Sequence, residues 1–135
     1  MSARKTKTRR ITEADARSYL EKAAKLYAAM LDEFDMERWS VAALIGVHCA
    51  ISSADAILGK TAGIRSAGDS HGEAAQLIRL HVKKDGAERQ AQRLLKIIQE
   101  KNAAAYDSRE FTRTESADML KDVGRFFEWA KEFFD

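Results

Sequence analysis

The 135-residue chain has no proline, one cysteine and only seven glycines. Proline and glycine are the residues that most disfavour helix interiors, so their scarcity leaves little to interrupt long helices. The lone Cys49 can neither close an internal disulfide nor complete a thiolate zinc site, which excludes a secreted disulfide scaffold. No uninterrupted apolar run approaches the ~20 residues of a membrane span, and the basic N-terminus is not followed by an apolar leader core. The expected setting is therefore the cytosol, with no membrane partner. Alternation of apolar and polar residues is also missing, so no strand is expected.

Acidic residues are absent before Glu13, whereas Arg4, Lys5, Lys7, Arg9 and Arg10 crowd the first ten positions. The net charge of +2 thus hides an asymmetry: with 18 cations against 21 acids, the remainder of the chain carries −3. The basic start can touch phosphate backbone, although solvated termini of this kind commonly do nothing. Residues 1–11 are read as a flexible basic tail and 12–135 as a single domain, since 45% hydrophobic residues exceed what a disordered chain carries.

Within that domain the apolar positions step at helical spacing. Leu20, Ala24, Tyr27, Leu31 and Phe34 form one stripe, with Thr12 and Asp15 capping its start. A second stripe runs through Val41, Leu44, His48, Ile51, Asp55 and Leu58, and the glycine-bearing stretch from Gly59 to Gly68 reads as a loop. Ser70 with Glu73 opens a third helix near His71, and Asp85-Gly86-Ala87-Glu88 opens a long fourth through Ala105. Thr112 with Glu115 caps a fifth bearing Leu120, Val123, Phe127, Ala130 and Phe134. The fold expected is all-α, an up-and-down bundle of about five helices. On the last helix Phe126, Trp129 and Phe133 exceed what one core face needs, so they serve either a wide core or a homodimer surface.

Several residues can carry chemistry. Gly59-Lys60-Thr61 lacks the preceding strand and the first glycine of a phosphate-binding loop, because Ala54 stands where that glycine belongs. His48 and Asp55 interrupt an apolar stripe ~10 Å apart along the helix axis; as buried polar groups each is expected to hydrogen-bond a neighbouring element. No helix repeats the Glu-x-x-His pattern of a di-iron bundle, so neither metal nor cofactor is expected. Arg65 and His71 flank a loop that ends at a helix start, where the helix dipole keeps an imidazole neutral. A neutral imidazole suits a general base and a guanidinium suits a phosphate clamp, while both side chains also suit simple pinning of the loop. Asn102 and Tyr106 share a helix face, and a tyrosine there is commonly a core aromatic with its hydroxyl at the rim.

Taken together, His48-Cys49-Ala50-Ile51, Asp55-Ala56, the run Gly63 to His71, Leu94 to Ile98, Lys101 to Tyr106 and the aromatic last helix resemble the HEPN-domain family. That family of helical bundles includes prokaryotic ribonucleases, toxins and antitoxin-associated modules. The resemblance implies RNA or nucleotide binding through Lys60, Arg65, Ser66, Lys101, Asn102, Tyr106 and Arg109, and homodimerisation. Active members resemble metal-independent endoribonucleases with an Arg and a His four to six residues apart, here Arg65 and His71. In many members that motif lies near the last long helices, where this chain has Lys101 for the Arg and Tyr106 for the His. A tyrosine, with a pKa of about 10, is a poor base at neutral pH, so the nuclease site is expected to be degenerate. The resemblance also allows a toxin–antitoxin type of interaction domain with a nucleotidyltransferase-like partner protein.

Overall fold

The computed structural model describes residues 7–68 and 72–135. It is mostly helical, in the order β1 (Thr8–Arg10), α1 (Glu13–Asp35), α2 (Trp39–Ala62), β2 (Ile64–Ser66), α3 (Gly72–His81), α4 (Ala87–Gln99), α5 (Lys101–Tyr106) and α6 (Arg113–Lys131). The fourth helix of the sequence reading is divided at Glu100, whose N–H turns back to the carbonyls of Lys96 and Ile97. α2 is the axis of the bundle, touching every other helix and β2. Its length and composition would suffice to cross a membrane, with a mean hydropathy of 1.8 in its most apolar window, but 72% of that window is buried by the rest of the chain.

The caps explain where helices begin. Thr12 Oγ1 accepts from Asp15 N at 3.0 Å while Thr12 N donates to Asp15 Oδ2 at 2.9 Å. Thr112 and Glu115 repeat this reciprocal box at 3.1 and 2.8 Å. Each box satisfies backbone donors that the first turn leaves open. Asp85 does not cap α4; Gly86 holds that position, and Glu88 instead accepts from Arg79 Nε at 2.9 Å.

Two short strands that hydropathy did not reveal join the chain's start to the end of α2. β1 and β2 pair antiparallel in the register Thr8 to Ser66, Arg9 to Arg65 and Arg10 to Ile64. Ile11 N to Gly63 O at 2.9 Å and Ala67 N to Lys7 O at 3.0 Å extend the ladder. Within the tail expected over residues 1–11, Thr8–Arg10 form a strand and residues 1–6 lie outside the described residues; a ladder of three residues is too short for a period of two to show in sequence. The loop expected from Gly59 onward begins only at Gly63, which ends α2 in the left-handed conformation at φ 68°. Gly59 lies inside the helix for another reason. A Cβ there would sit 2.6 Å from Ile11 Cδ1 and 2.7 Å from Ala16 Cβ, so its bareness lets β1 and α1 close onto α2.

The core gathers Met30, Val47, Ile57, Leu58, Ile78, Leu94, Ile97, Val123 and Phe126. Phe126 is fully buried and Trp129 is 5% exposed, while Phe133 packs edge-on against Trp129 at 4.8 Å. Phe126 and Trp129 thus belong to the chain's own core, and Phe133 is partly buried against it. α6 needs so wide an apolar arc because it lies against α1, α2 and α4 at once.

Candidate nucleic-acid interface

The ladder hangs β2 beside the polar face of α2, and a cavity of about 180 Å³ opens between them. Arg9 and Arg65 line it from the ladder, Ile51 and Asp55 from α2, and Ser66 and Ala74 complete the wall. Arg9 and Arg65 are directly opposed across the strands, an arrangement in which like charges repel. No acidic group lies within ion-pair distance of either guanidinium among the described residues. The one hydrogen bond of Arg65 is a long contact from Nη1 to its neighbour's carbonyl, Ser66 O, at 3.5 Å. Among the described residues no other group accepts from its donors.

Asp55 is the negative element of the cavity. It is 8% exposed, and burial pushes its carboxyl up to about 6, partly offset by the charges of Arg65 and then Lys22. The expected hydrogen bond from Asp55 to a neighbouring element is not found among the described residues. His48, one helical stretch earlier on α2, was expected to be buried and bonded; it is exposed. Partial desolvation, followed by the cations Lys101 and Lys22, lowers its pKa. A seven-residue step keeps His48 on the same face as Asp55, so the difference lies in what covers each end of α2: Arg65 and Ser66 of β2 and Ala74 of α3 close around Asp55. One flank of α2 thus carries Arg9, Arg65 and Asp55 at one end and His48 with the nearby Lys101 at the other, and Lys22 bears electrostatically on both His48 and Asp55.

The remaining sequence candidates divide. Ser66 is in the cavity wall. Lys101 acts on His48, and Asn102 is exposed beside it on α5. Tyr106 is no core aromatic: it is 75% exposed, because α5 ends there and the chain turns away. Lys60 pairs with Glu13 at 3.2 Å and sits 5.7 Å from the Phe134 ring, away from the cavity. Arg109 makes a two-pronged pair with Glu115 at 2.8 and 3.0 Å, so its guanidinium is committed to the start of α6. That pair and the Thr112 cap hold Glu115 down at about 2. His71 lies outside the described residues, as does Ser70, so the expected cap of α3 and the meeting of Arg65 with His71 do too.

Arg9 and Lys22 are the residues that sequence reasoning missed as individuals. The basic cluster before Glu13 was the available signal for Arg9, but only the ladder register shows which of its cations faces Arg65. Elsewhere the chemistry is quiet. The Cys49 thiol is bonded to Ala23 O at 3.3 Å and burial pushes it to about 12, so it is no nucleophile. Among the described residues no three His, Cys, Asp or Glu side chains converge to hold a metal ion.

A larger depression of about 800 Å³ runs between α4 and α6 on another side of the bundle. Arg89, Arg93, Lys121 and Arg125 stand along it, with Tyr27 and Trp129 among its walls. Its acids are taken up by ion pairs: Asp122 behind it pairs with Arg93 at 3.4 Å and Lys96 at 3.0 Å, and the lining Glu128 and Glu132 pair with Lys131 and Lys84, while Arg89, Lys121 and Arg125 have no ion pair within 4 Å among the described residues.

Neither a protein-family model nor a curated protein matches the sequence. The functional reading therefore rests on this geometry.

Proposed function

We propose that the chain binds single-stranded RNA along the polar flank of α2, with a backbone phosphate seated between Arg9 and Arg65. The observation that carries this reading is the facing pair of arginines, like charges set opposite across the ladder with no ion pair within 4 Å among the described residues, Asp55 being the acid that the charge of Arg65 reaches. A phosphate relieves that repulsion and accepts the planar guanidinium donors in a way a lysine pair could not match. Lys22 and Lys101 extend the positive flank, and exposed Tyr106 offers a ring on which a base can stack. This is the binding role that the HEPN resemblance implies, with Lys101 and Tyr106 as a degenerate form of the nuclease motif.

Titration of a labelled single-stranded RNA tests the reading. Wild type should bind with an affinity that falls steeply as salt rises, and Arg9→Ala/Arg65→Ala should lose about tenfold or more, the scale of one or two charge-assisted contacts. Equal affinity of the double variant, or binding indifferent to salt, would refute it.

Metal-independent cleavage of RNA by Arg65 and His71 is a second reading, which rests on the HEPN resemblance and on the place of Arg65 in the cavity wall. RNA incubated in EDTA with wild type and with Arg65→Ala/His71→Ala decides it, since cleavage must vanish in the folded variant.

A further inference from the structure

A carboxylate is a strange neighbour for a phosphate site, and Asp55 feels the charge of Arg65 without pairing with it at ion-pair distance. It lines the same cavity as Arg9 and Arg65, yet it forms no ion pair within 4 Å and no hydrogen bond among the described residues. Being 8% exposed, it bears a desolvation cost that an apolar side chain at the same position of α2 would avoid. An ionised carboxylate can only accept hydrogen bonds. A ligand that satisfies the whole cavity must therefore present a donor beside its phosphate, the donor toward α2 and the phosphate toward the ladder.

The cavity's size narrows the choice. At about 180 Å³ it falls below the ~300–1,000 Å³ of pockets that enclose whole ligands, which suits one sugar–phosphate unit with its base outside. In a nucleic-acid backbone, the hydroxyl donor beside a phosphate is the ribose 2′-OH, which DNA lacks.

We infer that Asp55 accepts the ribose 2′-hydroxyl next to the phosphate held by Arg9 and Arg65, and so makes the site prefer RNA to DNA. This rests on the phosphate site proposed above. Asp55 is a specificity residue in this assignment: the arginines supply the attraction common to both nucleic acids, and the carboxylate supplies the difference between them.

The test compares a short single-stranded RNA, the DNA of the same sequence, the 2′-O-methyl RNA, and a ribonucleoside 3′-monophosphate, each titrated against wild type, Asp55→Leu and Asp55→Asn at one salt concentration. Wild type should bind the RNA about tenfold tighter than the DNA or the methylated RNA, the scale of one charge-assisted hydrogen bond. Asp55→Leu should bring the RNA-to-DNA ratio to about one, and Asp55→Asn, which keeps an acceptor oxygen, should retain part of it. Should the leucine variant fail to fold, the methylated RNA on wild type still decides, because it removes the donor without touching the protein. Equal binding of RNA and DNA by wild type, or an undiminished ratio in Asp55→Leu, would overturn the inference while leaving the phosphate site standing. Binding of neither nucleic acid would overturn both. Full competition by the mononucleotide would overturn the assignment to an RNA chain, marking a free ribonucleotide as the ligand.

Discussion

The cavity beside the ladder and the depression between α4 and α6 are both lined by arginine, and they differ in what else they hold. The larger, at about 800 Å³, places Arg93 and Lys96 against Asp122 and has Glu128 and Glu132 in its walls. The smaller, at about 180 Å³, opposes two arginines to each other and leaves its one carboxylate unbonded among the described residues. Size therefore points one way and the unbonded buried acid the other. Surface ion pairs contribute little to stability, but they do consume the donors that a ligand would need. The acids of the larger cleft are held in ion pairs, whereas Asp55 of the smaller is buried with neither an ion pair nor a hydrogen bond among the described residues.

The strongest way to break this contrast is to remove the smaller cavity while sparing the larger. Gly59→Val places a branched side chain where a single Cβ already comes within 2.7 Å of Ala16 and Ile11, so α1 and the β1 end must move away from α2. A loss of about 3 kcal/mol is expected in urea unfolding, the upper range for overpacking, together with loss of RNA binding. The Arg93–Asp122 contact lies across the bundle and should survive. Stability unchanged by this variant would mean that the N-terminal strand is not held by α2 at all.

Asp55 supplies the next effect, and its sign is unusual for an acid. Its folded pKa of about 6 lies above the ordinary 3.8, so the folded state holds this proton more tightly than the unfolded chain does. Its contribution must therefore fall as pH rises from about 4 to about 6, with the full penalty present above that window. Measured against Asp55→Asn, wild type should be nearly equal below pH ~4 and less stable by roughly 3 kcal/mol at neutral pH. A constant difference across that range would show that burial does not raise this carboxyl.

How much of this was legible beforehand follows from the range of each interaction. The capping boxes at Thr12 and Thr112 and the α6 stripe through Val123, Phe127 and Ala130 are local patterns within one or two turns and appear where the sequence puts them, whereas the α1 and α2 stripes do not: Ala24, Leu31 and Val41 are exposed and Ala23, Met30 and Val47 are buried instead, because the face that a helix buries is set by its neighbours. The ladder is a pairing between residues more than fifty positions apart, and three residues carry no period. Without it, Arg9 was one of five tail cations, and nothing distinguished it from Arg10. The same long-range packing decided Gly59, read as a loop residue because glycine breaks helices, although here it stays helical to admit Ile11 and Ala16. His48 and Asp55 were singled out correctly as polar interruptions of one stripe. Their opposite burial depends on what covers each end of α2, which a stripe cannot express. Lys60 and Arg109 were offered as binding residues on charge, and only the fold shows that Glu13 and Glu115 hold them.

The smallest expected effect tests the contrast from the other side. If its paired acids are what keep the α4–α6 depression from attracting a polyanion, then removing one of them should strengthen that attraction. Asp122→Asn takes the negative partner from both Arg93 and Lys96, two cations on α4, without changing the volume of the side chain. With Arg93 about 15% and Asp122 about 17% exposed in the pair, the variant should lose modestly in stability and still fold. RNA affinity should rise about twofold at low salt, through nonspecific attraction, and the gain should vanish as salt is raised. It should also appear undiminished in the background of Arg9→Ala/Arg65→Ala, because distant sites without shared partners act additively. A gain that depends on Arg9 and Arg65 would join the two clefts into a single surface, and the distinction between them would fail.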